Sequence, residues 1–247
     1  DLTGAKLNGA TLTGLDLTGA DLTSADLTGA TGLTGTTGII ITATTNLTSA
    51  KLVGADLTGD ILTGVQMAKA DLTNATLTDA TLNTAATNLA GANLTNAIMG
   101  GADLTGATLT GAKLIDATLT NSAKLDNALL SKADLTGADL TSATLTGATL
   151  TGAKLNTATL TGADLTGANL TSADLTGATL TNVVISATTN LTSAKLIDAN
   201  LSDVNLGSAN LTSIEMAKAD LTGANLTGTM LASANLTGAK LGGANLT

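Results

Sequence analysis

The 247-residue chain has no Phe, Tyr, Trp, Pro, Cys, His or Arg. Aromatic side chains dominate the energetics of ordinary cores, so their absence excludes a conventional globular core even though the length would allow one or two domains. Zero Cys excludes a disulfide framework and a thiol nucleophile, and it fits any compartment. Without His, Cys, Arg or Tyr, groups able to do chemistry reduce to Asp, Glu215, Lys, Ser and Thr. Long apolar runs are also missing. The longest, Ile39 to Ile41 after Gly38, falls far short of the roughly 18 residues of a membrane span. No basic segment followed by an apolar one opens the chain, so no signal peptide is visible. Positive charge is scarce, with 10 Lys against 19 acids and a net charge of −9. Direct nucleic-acid binding needs clustered Lys and Arg and is not expected here. An acidic surface serves solubility instead, or imitates nucleic acid.

What is present is a five-residue pattern. Apolar residues make up 43% of the chain, almost all of them Leu and Ala, which excludes a disordered composition. In Ala163-Asp164-Leu165-Thr166-Gly167 the central Leu, position i, follows a small polar residue at i−1 and an Ala at i−2. Centres recur through residues 2–27, 47–82, 89–119, 125–185 and 191–246, which makes 46 repeats. The centre is Leu except at Met67, Met99, Ile185 and Met216, and 35 of the 45 positions at i−2 are Ala. A period of five matches neither a helix nor a long alternating strand, and frequent Gly at i+2 opposes helix. The pattern fits a coil that turns a corner every five residues with i and i−2 pointing inward. Four such sides make a coil of about 20 residues, and about 12 stacked coils form a rod. A lone coil cannot offset its ordering entropy with one Leu and one Ala per repeat, so neighbouring coils must share core and hydrogen bonds.

These repeats resemble the A(D/N)LXX pattern of the pentapeptide repeat proteins across more than nine-tenths of the chain. The resemblance implies an all-β fold, a right-handed quadrilateral β-helix forming one continuous solenoid over 1–247. Many family members place Phe at some centres, whereas here the centre is never aromatic.

Charge placement gives a second line on the coil length. Seven Lys occupy i−1, and five have an acid 20 residues away: Lys6 with Asp26, Lys51 with Asp71, Lys154 with Asp134 and Asp174, Lys195 with Glu215, and Lys240 with Asp220. Stacked coils would bring such pairs within attractive range. Lys113 and Lys124 have no acid at that offset.

The pattern breaks at 28–46, 83–88, 120–124 and 186–190. Three breaks end in similar words: Ala43-Thr44-Thr45-Asn46-Leu47, Ala85-Ala86-Thr87-Asn88-Leu89 and Ala187-Thr188-Thr189-Asn190-Leu191. We read them as bulges or small loops at coil corners, with a binding loop as the alternative. Asp60 falls at an inward i−2 position, and a local register shift is expected there because a buried carboxylate is expensive. A longer repeat is superimposed: residues 1–31 match 149–179 at 27 of 31 positions. Residues 41–52 match 185–196, and Met67 to Leu72 match Met216 to Leu221. One unit covers 1–148 and a partial second covers 149–247, with both ends mid-pattern, as in an excerpt of a longer array.

No catalytic, cofactor-binding or metal-binding residue is assigned. The acids sit mostly at outward i−1 positions and lack the burial that tunes a carboxyl for catalysis, nor do they converge on a metal. Asn-Leu-Thr recurs as a glycosylation-like triplet only because the repeat contains it. Thr-Leu-Thr triplets such as Thr159-Leu160-Thr161 and Thr179-Leu180-Thr181 should stack, but other polar and charged residues interrupt the flat Thr ladder that ice binding would need. The expected function is a non-enzymatic structural rod of a fibre, sheath or surface layer that associates with itself, outside the cell or at its surface. Cytoplasmic placement is the alternative. The resemblance also implies a rival: some pentapeptide repeat proteins mimic duplex DNA and act on DNA gyrase. Those typically dimerise through a capped C-terminus carrying aromatic residues, which this chain does not show.

Overall fold

The computed structural model describes residues 1–12, 14–30 and 43–247. Stacked repeats touch through single-residue parallel β-bridges at i−1. Lys51, Asp56, Ile61 and Gln66 pair with Asp71, Thr76, Thr81 and Asn88 respectively, so the chain returns to the same side after four repeats. Where the pattern is regular the paired residues are 20 apart, as in Lys154 with Asp174. The separation rises to 22 across 83–88, to 21 across 120–124 and 186–190, and to 25 across 28–46. Each break is therefore absorbed inside one coil; the other ladders continue across 186–190, while the one ending at Val184 resumes at Asn205. Most of the 28–46 break, including Ile39 to Ile41, lies outside the described residues.

Backbone hydrogen bonding explains the five-residue grammar. In the repeat centred on Leu135, the Leu135 N–H donates to Lys154 O (2.7 Å) and the Gly137 N–H to Asn156 O (2.9 Å), both in the next coil. The Asp134 N–H donates to Ala112 O in the preceding coil (2.9 Å), and the Ala138 N–H closes a turn onto Leu135 O (3.0 Å). Leu135-Thr136-Gly137-Ala138 is thus a β-turn whose third residue has φ +70°. That is the position where a type II turn requires a left-handed residue, hence Gly. One N–H per repeat remains, that of Thr136, and the Asp134 Oδ1 accepts it at 3.2 Å. The same bond recurs from Thr166 to Asp164 (2.8 Å) and from Thr171 to Asn169 (3.1 Å). Where i−1 is Asp or Asn, it is therefore the acceptor that completes the backbone account through an Asx turn at that corner.

The core is one continuous cluster of inward Leu and Ala. Leu125 to Leu180 are fully buried at every centre, and the Ala two places before each is at most 1% exposed. Asp60 differs from expectation. It occupies the inward slot at 8% exposure, beside Leu57 and Leu62, with no shift of register. The Thr81 N–H donates to Asp60 O (2.8 Å) as the ladder demands. Moving the strand by one residue would turn Leu62 outward, so the coil keeps its Leu and takes in the carboxyl.

The words that end the breaks put Thr at the inward position. Thr45, Thr87 and Thr189 are at most 1% exposed. Thr45 Oγ1 donates to Leu17 O (3.0 Å), Thr189 Oγ1 donates to Leu165 O (2.7 Å), and Thr87 Oγ1 accepts from the Gly64 N–H (2.7 Å). The Thr45 and Thr189 hydroxyls add a second bond to carbonyls that keep their turn partners, Ala20 N–H on Leu17 O and Ala168 N–H on Leu165 O, while Thr87 takes up the Gly64 N–H. Among the described residues no helix is long and apolar enough to cross a membrane.

Candidate functional surface

With i and i−2 committed to the core, what the molecule presents outward is decided at i−1. Four ladders of outward side chains run along the coils. On the first, Asp21 is followed by Asn46, Gln66, Asn88, Thr108, Leu129, Thr149, Asn169, Asn190, Asn210 and Met230, none of which carries a charge.

The second ladder is the opposite in character. It runs Lys6, Asp26, Lys51, Asp71, Asn93, Lys113, Asp134, Lys154, Asp174, Lys195, Glu215, Asn235. Charges alternate at every step except where Asn intervenes. The 20-residue spacing revealed only part of this, because the breaks shift the offset. The extra residue at 120–124 brings Lys113 onto Asp134 on this ladder and Lys124 onto Asp103 on the fourth, each 21 apart. Lys51 forms its ion pair with Asp26, at 3.8 Å, across the 28–46 break. Lys154 pairs with Asp134 on this ladder and Lys240 with Asp220 on the third, each at 3.2 Å. The lysine side chains of these three pairs are 61–70% exposed, so each contributes a fraction of a kcal/mol, about 0.5.

The third and fourth ladders mix Thr, Asn and single apolar residues such as Ile61 and Ile98 with a few charges, among them the neighbours Asp220 and Lys240 on the third and Asp103 and Lys124 on the fourth. Thr159 and Thr179 stack as expected, and the Thr161 and Thr181 hydroxyls lie 3.2 Å apart. Asp139 and Asn200 flank this pair on the same ladder.

The carboxylates serve the architecture. The Thr18, Thr23, Thr28 and Thr222 hydroxyls and N–H groups hold Asp16, Asp21, Asp26 and Asp220 below the usual carboxylate value. For Asp103, Asp134 and Asp174, partial burial pushes upward, but hydrogen bonds led by Thr105, Thr136 and Thr176 outweigh it and the net direction is down. Stabilised carboxylates are poor proton donors and acceptors near neutrality. Among the described residues no group of three or more His, Cys, Asp or Glu could hold a metal ion.

A family model of pentapeptide repeats matches eight copies, over residues 1–31, 45–83, 87–122, 121–156, 150–186, 189–228 and 209–247. The chain belongs to the pentapeptide repeat family. Among solved structures, this pentapeptide repeat chain is similar to HetL from the cyanobacterium Nostoc sp. strain PCC 7120, a pentapeptide repeat protein involved in heterocyst differentiation regulation. The identity is 34% over 98% of this chain and 91% of HetL, with a TM-score of 0.29. QnrB1, a plasmid-mediated fluoroquinolone resistance protein, is 17% identical over 75% of this chain and 90% of its own, with a TM-score of 0.38. A pentapeptide repeat protein of the Arabidopsis thaliana thylakoid lumen is 27% identical over 48% of this chain and 64% of its own, with a TM-score of 0.22. No curated protein matches.

Proposed function

We propose that this pentapeptide repeat chain is a non-enzymatic structural rod: a right-handed quadrilateral β-helix of about twelve coils that associates with itself in a fibre, sheath or surface layer outside the cell or at its surface. In this reading the solenoid is continuous over 1–247, with a unit at 1–148 and a partial copy at 149–247. The observation that carries it is the long repeat combined with the ladders. Residues 1–31 and 41–52 match 149–179 and 185–196, and the matched Asn46 and Asn190 fall on one ladder, as do Lys51 and Lys195. A molecule that repeats its outward faces along its axis offers the same contacts to neighbours at regular intervals. Its polar groups are spent on turns and stacking, which supports a mechanical role over a chemical one.

A DNA-mimicking module needs rows of like charge, whereas the second ladder alternates its signs. The test is physical state. Sedimentation and electron microscopy of the purified chain should show concentration-dependent side-by-side or end-to-end assemblies. Discrete small particles that alter gyrase supercoiling would overturn the reading.

A further inference from the structure

The second ladder alternates in a way that is complementary to itself. From Lys113 through Asp134, Lys154, Asp174 and Lys195 to Glu215 there are three cations and three anions on successive coils. A two-fold axis perpendicular to the rod, passing between Lys154 and Asp174, maps this ladder onto itself with the signs reversed at every step. Lys154 then faces Asp174 of a second copy, Asp134 faces Lys195, and Lys113 faces Glu215. Asn93 and Asn235, the next residues outward at the two ends, face each other. No like charges meet.

We propose that this ladder is a lateral interface through which two copies of the chain pack antiparallel. The proposal rests on the self-associating rod reading and names the side that carries it. An isologous interface must be self-complementary, and alternating charge meets that requirement while penalising other alignments, since a slip of one coil sets Lys against Lys and acid against acid. The lysines are available for a second partner. Lys113, Lys154, Lys195 and Glu215 are exposed, and the Lys154 side chain is 63% accessible despite its bond to Asp134. The residues bordering the ladder at i+1, such as Ile115, Thr136, Asn156, Thr176 and Ile197, carry no charge to oppose close approach. The first ladder, uncharged from Asn46 to Met230, has no comparable feature that selects a partner or an alignment.

Charge-reversal complementation tests the proposal. One variant carries Lys113→Glu, Lys154→Glu and Lys195→Glu; the other carries Asp134→Lys, Asp174→Lys and Glu215→Lys. By sedimentation equilibrium at low salt, each alone should self-associate at least about tenfold more weakly than the parent, and an equimolar mixture should recover association. Asp134 and Asp174 also hold their turns, so a third variant, Asp134→Asn, Asp174→Asn and Glu215→Gln, keeps the turn acceptor while removing the charge. It should retain the parent circular dichroism and still lose association. Added salt should weaken the parent complex. If the parent associates and the three-lysine variant associates equally well, the ladder is not the interface and the rod reading stands. If the parent stays monomeric at every salt concentration, self-association itself falls, and this interface with it.

Discussion

At the scale of the residue, the small polar position before each Leu does more than face water. Asp139 Oδ1 accepts both the Thr141 N–H (3.0 Å) and the Thr141 hydroxyl (2.6 Å), closing the one backbone donor that the stacked coils leave over. Replacing Asp139 with Ala should cost about 1 kcal/mol, the usual net value of such a bond, while Asp139→Asn should cost little because Asn serves at Asn169. Urea unfolding followed by circular dichroism separates the two, and equal losses would refute the acceptor role. Where Thr144 replaces the acceptor, Asp126 of the adjoining coil takes over, receiving the Thr146 N–H (2.9 Å) and the Thr144 hydroxyl (2.7 Å). The pH dependence follows from the same bonds. A carboxylate held below its ordinary value of 3.8 stabilises the fold when ionised. That contribution is complete above 3.8 and disappears as the pH falls through the lower folded-state value. Asp16, Asp21, Asp26, Asp103, Asp134, Asp174 and Asp220 all shift in this direction. The melting temperature should therefore be level from neutrality down to roughly pH 5 and decline below 4. Rising stability on acidification would contradict it.

At the scale of the coil, the centres and inward Ala were legible because a strict period of five leaves no other way to hide every Leu. The corner was half legible. Gly at i+2 announces a turn, but an Asp that coats and an Asp that accepts a backbone N–H look alike in composition; the available signal was the constant two-residue spacing in Asp-Leu-Thr. Lys113 and Lys124 looked unpartnered because a fixed offset of 20 was applied across a corner holding one extra residue, although the six-residue step from Leu119 to Leu125 contained that information. Asp60 departs from the expected register shift for a different reason. Burying one carboxyl costs the coil less than turning Leu62 outward. The breaks themselves make a sharp prediction. Thr189 is 1% exposed, donates to Leu165 O and accepts the Ser186 N–H (3.2 Å). Thr189→Ala takes the acceptor from the Ser186 N–H, while Leu165 O keeps the Ala168 N–H (3.0 Å), and it should cost about 1–3 kcal/mol. Thr189→Ser, which keeps the hydroxyl, should retain most of the stability. Equal midpoints for the two in urea would show that the hydroxyl is dispensable.

At the scale of the whole molecule, core and surface obey different rules. The inward residues are nearly the same on all four sides, so the stack cannot tell one side from another. The outward ladders differ from side to side and depend on which repeat lies over which. The long repeat shows this separation. Its first segments return to their own sides, but Met67 and its match Met216 follow Gln66 on the first ladder and Glu215 on the second. Here the sequence word has moved by one side without disturbing the core, and both Met are fully buried. Inserting Ala-Thr-Leu-Thr-Gly twice between Gly162 and Ala163 should exploit the same freedom. Ten residues are half a coil, so every later repeat rotates by two sides, and Leu and Ala still stack on Leu and Ala. Circular dichroism should be unchanged. The melting temperature should change little, since the exposed ion pairs lost contribute only about 0.2–1 kcal/mol each. The charge ladder, however, would be cut between Lys154 and Asp174 and its halves sent to opposite faces. Self-association should fall with it, whereas a substitution on the third ladder such as Lys240→Gln should leave it intact. A large loss of stability in the insertion variant would show that the sides are not interchangeable and that packing, not only charge, sets the order of the repeats.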